Sequence, residues 1–426
     1  MIEQDERQPA ETALLAGFHH KGTSLQEAEA LLDELESLVT TMGLEVLGKI
    51  LIKIDRPQAR LYTGTGKAEE ISEMAEELDA DCIIFDDPLS PSQQRNWEEI
   101  TGRCVIDRQE VILDIFAARA STREAVLQVA LARMEYSLPR LTRAWTHLSR
   151  QKGGTKGTRG EGETQLEVDR RIVLRKISKL KKELIKIRKQ RSTMRKRRET
   201  RGVPAAGLVG YTNAGKSSLL KALAGGEIFV EDKLFATLDP TTRRVELSEG
   251  DEILMTDTVG FVRKLPHGLV EAFRSTLEET LHSDFLIHVV DASSPEALDQ
   301  AVTTLKVLEE IGIEEKEILT VFNKEDLLRE EGIAADLIER FPEAHVISTE
   351  TGSGMEELKT AIEKIIRESR GVATYLLPPD RYDLAAYIHR SGTIISEEHS
   401  HAGTKITARI PEEAEGRLAN FRFDEE

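Results

Sequence analysis

Between residues 12 and 120 the chain alternates two apolar patterns. TALLAGFHH, LEVLGKILIKI, DCIIFDD and CVIDR are short runs with few polar positions. LQEAEALLDELESLV, KAEEISEMAEEL, PSQQRNWEEI and EVILDIFAARA place apolar residues three or four apart. Runs of the first kind suit strands buried on both faces, and the second suits helices laid over them. A parallel α/β domain is therefore expected over residues 1–122. The period then changes. Leu127, Leu131, Met134, Leu138, Leu141, Trp145 and Leu148 are spaced by four and three in turn. Val173, Ile177, Leu180, Leu184 and Ile187 repeat that spacing, extended by Arg191 to Met194. Two heptad helices joined by QKGGTKGTRGEGETQ, residues 151–165 with five glycines, predict an antiparallel helical hairpin over 123–200. Pro139 is expected to kink the first arm. Residues 201–370 return to strand–helix alternation, as a mostly parallel sheet flanked by helices. Residues 371–426, with a Pro378-Pro379 turn, read as a small α+β module of order βαββα.

Composition adds three points. The chain has 426 residues, 39% of them hydrophobic, enough for several ordinary cores. It contains no apolar run of about 18 residues, so no membrane span is expected. The opening MIEQDERQPAE resembles neither a secretory signal nor a transit peptide, which points to the cytoplasm. The two cysteines, Cys82 and Cys104, sit in apolar runs and are expected to be buried strand residues in a reducing compartment. Charge is the third. The net value is −18, yet residues 170–201 hold 16 Lys or Arg and 2 Glu, a local +14 that leaves −32 for the rest. A basic block of this size in an acidic chain predicts a localised polyanion-binding surface.

The chemistry begins in GLVGYTNAGKSSLLKAL. Gly210, Gly215, Lys216 and Ser217 fit G-x4-G-K-[ST], with Tyr211, Thr212, Asn213 and Ala214 between the glycines. The backbone must wrap phosphates at a helix N-terminus, hence glycine; Lys216 is expected at the β and γ phosphates and Ser217 on magnesium. EILMTD ends in Asp257, spaced to hold magnesium, and Thr258, Val259 and Gly260 follow, Gly260 offering an amide to the γ phosphate. The next residue is Phe261, where many nucleotide switches carry a water-orienting glutamine. NKED, Asn323-Lys324-Glu325-Asp326, follows the strand EILTVF. Asp326 is expected to accept from the two adjacent donors of guanine, which adenine lacks; Asn323 could meet the N7/O6 edge and Lys324 flank the ring. Ser348, Thr349 and Glu350 then offer amides to O6. The substrate read from this set is GTP, with GDP as product. Spacing alone leaves Thr237, Thr241 and Thr242 open as the threonine of the first switch. YTGTGKAEEI, residues 62–71, resembles a fragment of a phosphate loop but lacks a hydroxyl after Lys67, and a tight turn into a helix is the simpler reading.

The chain resembles the HflX family of ribosome-associated GTPases, in the Obg-like branch. YTGTGKAEEI, LSPSQQRNWEEI, VIDRQEVILDIFAARA, WTHLSRQKGG, GETQLEVDRR, GYTNAGKSS, LFATLDPTTRR and DTVGFVRKLPH carry the likeness. The resemblance implies a GTPase that contacts the large ribosomal subunit through ribosomal RNA and proteins and is linked to splitting stalled ribosomes under stress. An assembly role on the large subunit, as in other members of the branch, is the alternative. An RNA-remodelling module drawing on ATP through the N-terminal domain is the third. Within LFATLDPTTRR the resemblance implies a switch segment Phe235, Ala236, Thr237, Leu238 and Asp239, with Thr237 ligating magnesium beside Ser217 and Asp257. It implies a potassium ion near Asn213, for which loop stabilisation is the other reading. Lys216, Thr237, Gly260 and Asn213 form the expected catalytic set. The basic hairpin and its loop, with Lys152, Lys156 and Arg159, are implied to reach the functional centre of the subunit. Glu161 replaces a proline common in that loop. The free protein is expected to be a monomer.

Overall fold

The computed structural model describes residues 10–141, 165–199, 203–225, 234–247, 252–264, 282–310, 312–313, 316–328, 337–369, 371–400, 403–410 and 416–423. The chain divides into two compact units. Residues 234–239 and 261–264, in the stretch the sequence assigns to the nucleotide domain, group with the first.

The first unit opens with β1 (Thr12–His20), α1 (Leu25–Met42), β2 (Glu45–Ile54), α2 (Thr65–Glu77), β3 (Cys82–Phe85), α3 (Pro91–Thr101), β4 (Cys104–Asp107) and α4 (Arg108–Arg119). The strands form a parallel sheet of order β2-β1-β3-β4. All four residues of β3 are buried, as is the middle of β1, which a sheet covered on both faces requires. The helices are cut by local chemistry. Ser24 caps α1, Gly43 ends it at φ 98°, and Ser90 with Gln93 closes a capping box on α3, which satisfies amides that a helix start leaves free. Trp97, fully buried against Phe85, donates its indole N–H to the Leu61 carbonyl at 3.0 Å. The stretch from residue 62 is a turn: Gln58 and Tyr62 exchange backbone hydrogen bonds, Tyr62 has φ 68°, and Gly64 is the N-cap of α2. Cys82 is buried but Cys104 is exposed. That departs from the expected pair of buried thiols, because Cys104 starts the edge strand.

α5 (Arg123–Ser137) runs into a 3-10 turn at Leu138–Arg140, where Pro139 falls. Its fully buried positions are Glu124, Ala125, Gln128, Val129 and Ala132, toward α4, while Leu127, Leu131 and Met134 of the expected stripe are half-buried. Trp145, Leu148 and the glycine-rich loop through residue 164 lie outside the described residues. α6 (Gln165–Glu199) is one helix of 35 residues. Among the residues whose side chains are described, Ile177 and Leu184 are buried and Val173, Leu180 and Ile187 half-buried, along the predicted stripe; the side chains of its extension, Arg191 to Met194, lie outside the described residues. Ion pairs Lys181–Glu135 (2.8 Å) and Arg123–Glu183 (3.7 Å) join it to α5.

The second unit holds β5 (Ala205–Gly210), α7 (Lys216–Ala224), β6 (Thr241–Glu246), β7 (Glu252–Asp257), β8 (Phe285–Asp291), α8 (Ala297–Glu310), β9 (Ile318–Asn323), β10 (His345–Val346) and α9 (Met355–Ser369). The sheet order is β10-β9-β8-β5-β7-β6, parallel except for β6. Strand order reverses at β5, and a crevice opens beyond the carboxyl ends at such a point. The tail forms β11 (Gly371–Leu377), α10 (Tyr382–Ser391), β12 (Thr393–Ser400) and β13 (Gly403–Ile410), an antiparallel sheet of order β11-β13-β12. A 3-10 turn at Ala419–Phe421 stands where the sequence suggested a final helix.

Candidate functional site

The loop between β5 and α7 is shaped by positions that only particular residues tolerate. Gly210 has φ 150°, and a Cβ there would lie 2.1 Å from the Val289 carbonyl oxygen. Gly215 has φ 94°, and a Cβ there would lie 2.1 Å from Asn323 Nδ2. Asn213 takes the left-handed conformation at φ 62° and is exposed, an accessible strain for asparagine. Tyr211, Thr212 and Ala214 are buried. Lys216, 6% exposed, donates from Nζ to the carbonyls of Gly210 (3.1 Å) and Tyr211 (2.8 Å). Burial lowers its pKa to about 8, and the negative charge of Asp257 opposes that shift.

Asp257 ends β7, 2% exposed, and Ser217 in the first turn of α7 donates its hydroxyl to Asp257 Oδ2 at 2.6 Å. A hydroxyl and a carboxylate at a helix N-terminus are hard oxygen donors. Among the described residues no cluster of three His, Cys, Asp or Glu could hold a metal. Such a pair suits magnesium, which prefers hard oxygen donors, keeps several waters and takes phosphate oxygens. Thr258 is pinned by its hydroxyl to the Leu208 carbonyl at 2.6 Å, and Val259 is buried. At Gly260 a Cβ would meet Thr212 Cα at 2.7 Å and Lys216 Nζ at 2.9 Å. Only glycine lets this loop press so closely on the phosphate loop.

Asn323 is fully buried at the end of β9. Its Nδ2 donates to the Ala214 carbonyl (3.1 Å) and its Oδ1 accepts from the Thr349 amide (3.2 Å). Both ends of the amide thus tie two loops together. Lys324 has φ 68° and pairs with Asp291 Oδ2 at 2.7 Å. Asp326 Oδ1 accepts from Ser348 Oγ at 2.5 Å, and Ser348 Oγ accepts from the Thr351 amide. Glu325 donates its amide to the Ile347 carbonyl, and Glu350 is exposed. Asp291 was not singled out in the sequence; its signal was the same as that of Asp257, an acid closing an apolar strand. His288, buried on β8, was also missed. Burial, then the nearby Lys216 charge, lowers its pKa to about 4, so it is neutral near pH 7.

Phe235, Ala236, Thr237, Leu238 and Asp239 group with the first unit. Phe235 is buried edge-on to Phe116, ring centres 4.5 Å apart. Asp239 Oδ2 accepts from Ser121 N (2.9 Å), Ser121 Oγ (2.6 Å) and Thr122 N (2.9 Å), and Thr122 Oγ1 donates to its Oδ1. That carboxylate anchors the start of α5. Thr242 Oγ1 lies 2.9 Å from Thr256 Oγ1 within the β6–β7 pair, leaving Thr237 and Thr241 as the threonines not tied into that contact.

A glycine-shaped phosphate loop, a strand-end Asp beside a Ser hydroxyl, and an N-K-x-D loop closed by a serine define a P-loop GTPase. Family models agree in chain order: GTP-binding GTPase N-terminal over residues 29–117, GTP-binding GTPase middle region over 119–198, and 50S ribosome-binding GTPase over 205–324. The chain is 47% identical over 425 residues to GTPase HflX of Akkermansia muciniphila, covering 97% of each. It is 41% identical over 382 residues to GTPase HflX of Escherichia coli (strain K12), covering 89% of each. The chain belongs to the HflX family of GTPases and hydrolyses GTP. Among solved structures, a GTP-binding protein from the archaeon Sulfolobus solfataricus in complex with GDP is 26% identical, with TM-score 0.44, covering 83% of this chain and 99% of that one. No helix among the described residues is long and apolar enough to cross a membrane.

Proposed function

We propose that the chain is a GTP-driven switch that docks on the large ribosomal subunit, is activated there, and splits or rescues stalled ribosomes under stress. The observation that carries the ribosome reading is the charge on α6 and its flank, +14 within 32 residues of a chain whose net charge is −18. Phosphate contacts dominate binding to folded RNA, and such a helix is built to make them. The description of the matched family, a 50S ribosome-binding GTPase, points the same way.

In this reading Gly210 to Ser217 wrap the phosphates and Lys216 faces the β and γ groups. Ser217 and Asp257 would hold magnesium, which when bound would neutralise charge on the phosphates. The Gly260 amide faces the γ phosphate. Asp326 selects guanine, Lys324 flanks the ring, and the backbone of Ser348, Thr349 and Glu350 closes over O6. Asn213 would help hold a potassium ion, which would supply charge where Phe261 offers no polar atom.

The test is a GTPase assay with and without large subunits, in potassium and in sodium. Stimulation by subunits is expected, and its absence would remove ribosome activation from the reading. Equal rates in both salts would return Asn213 to loop stabilisation. Sedimentation of the GTP-bound protein separates the alternative: preference for immature large subunits over whole ribosomes would favour assembly.

A further inference from the structure

Strand order in the N-terminal sheet reverses at β1, so the carboxyl ends of β1 and β3 border a crevice. His20 closes β1, Asp86 and Asp87 follow β3, and Arg108 opens α4. Residues 261–264, which continue directly from Gly260, occupy this place. Lys264 Nζ lies 2.5 Å from Asp86 Oδ2 and 3.1 Å from Asp87 Oδ1. Arg108, 2% exposed, donates from Nε to Asp86 Oδ1 (2.8 Å), from Nη1 to the Arg263 carbonyl (3.1 Å) and from Nη2 to the Leu31 carbonyl (2.7 Å). The Arg263 amide donates to Glu34 Oε1 at 3.3 Å. Phe261 and Val262 are buried.

Two features mark this as a built site rather than a chance contact. Asp86 and Asp87 are 4% and 6% exposed, and Glu34 is 13% exposed. Arg108 alone cannot balance three such carboxylates, and an uncompensated buried charge is costly. Lys264 adds a second positive charge, set against Asp86 and Asp87, and His20 Nε2 lies 3.2 Å from Asp87 Oδ1. Lys264 also sits at φ 54°, a left-handed conformation that costs a non-glycine residue about 1–2 kcal/mol and persists where surroundings impose it.

We propose that Asp86, Asp87 and Arg108 are positioning residues for GTP hydrolysis. They hold Lys264 and the Arg263 carbonyl, and through a four-residue span, at most about 14 Å of extended chain, they fix where Gly260 stands. The proposal rests on the reading of Gly260 as the loop facing the terminal phosphate. It gives Phe261 a use: the residue that cannot orient water is a buried anchor for the loop that precedes it.

Lys264→Met in the full chain tests it, with single-turnover GTP hydrolysis and GTP affinity measured separately. The single-turnover rate is expected to fall about tenfold, since small misplacements of reacting groups cost up to ~100-fold. GTP affinity should hold within about twofold, because the phosphate loop and the base-recognition loop, which carry most contacts to the nucleotide, lie elsewhere. Lys264→Arg should recover most of the rate, and amide hydrogen exchange over residues 258–264 should quicken in Lys264→Met. An unchanged or raised rate, a loss confined to affinity, or unchanged exchange would each overturn the proposal. Should Lys264→Met melt early, Lys264→Gln carries the same measurements. Gly260→Ala is run alongside. An unchanged rate there removes the loop itself from the reaction, while a drop there without one in Lys264→Met overturns the crevice alone.

Discussion

Asn323→Ala separates architecture from recognition at the guanine loop. The amide is fully buried and makes two hydrogen bonds, to the Ala214 carbonyl and from the Thr349 amide. Truncation leaves both partners bare. Ala214 is fully buried, so its carbonyl bears a desolvation cost of about 1–3 kcal/mol. Thr349 is half-buried, and water takes over part of its loss. A total of about 2–4 kcal/mol results, a large share of the 5–15 kcal/mol that typically holds a domain together. The unfolding midpoint of the nucleotide-binding unit should drop by roughly 5–10 °C in nucleotide-free protein. GTP and GDP affinity should fall together by about tenfold or more, because both loops lose their tie. Preference for guanine over adenine should survive, since Asp326 keeps its Ser348 contact. Calorimetry without nucleotide and titration with fluorescent GTP and ATP analogues check this. An unshifted midpoint with collapsed GTP affinity would refute the reasoning and restore Asn323 to direct base contact.

Three further outcomes follow from the same geometry. Gly210→Ala forces a Cβ to 2.1 Å from the Val289 carbonyl, so nucleotide binding should be lost in a titration while the N-terminal unit keeps its own unfolding transition. Burial alone would raise the Asp239 pKa, but hydrogen bonds from Ser121 and Thr122 outweigh it and hold the carboxyl below its ordinary range. Its stabilisation is present above the ordinary carboxylate pKa and fades as pH falls through the lower folded value, so Asp239→Asn should cost about 1 kcal/mol near pH 7 by denaturant titration, a gap that closes in acid. Glu110 is pushed up to about 7 by burial, then by the charges of Asp107 and Asp114. Its contribution is full below the ordinary glutamate value and lost as pH rises through 7. Glu110→Gln should therefore stabilise the first unit by ~2 kcal/mol at about pH 8 and progressively less toward pH 5, read from melting curves.

Much of the site was legible because its chemistry is contiguous. Gly210 to Ser217 form one loop, and Asn323 to Asp326 another, so spacing along the chain is spacing in space. β1 covers the residues its apolar run marks, and on α6 the heptad residues Ile177 and Leu184 are buried with Val173, Leu180 and Ile187 half-buried. Period is a local property, and strands and helices are chosen locally. The partners that hold Asn323 and Asp239 were not legible, for the opposite reason. Asn323 reaches 109 residues back to Ala214, and Asp239 reaches 118 back to Ser121. No pattern in the sequence announces such partners. The exposed Cys104 likewise depends on which strand ends the sheet.

The sequence by itself determined that this protein binds phosphates and guanine, alternates strands with helices, and concentrates positive charge on one helix. Those follow from short-range geometry and composition. Only the tertiary structure decided that residues 234–239 and 261–264 belong with the N-terminal unit, and that Lys264 answers the charges of Asp86 and Asp87 across 178 and 177 residues of chain. Ion pairs and hydrogen bonds at that separation are fixed by which surfaces the packed cores bring together, and a linear pattern carries no record of that choice.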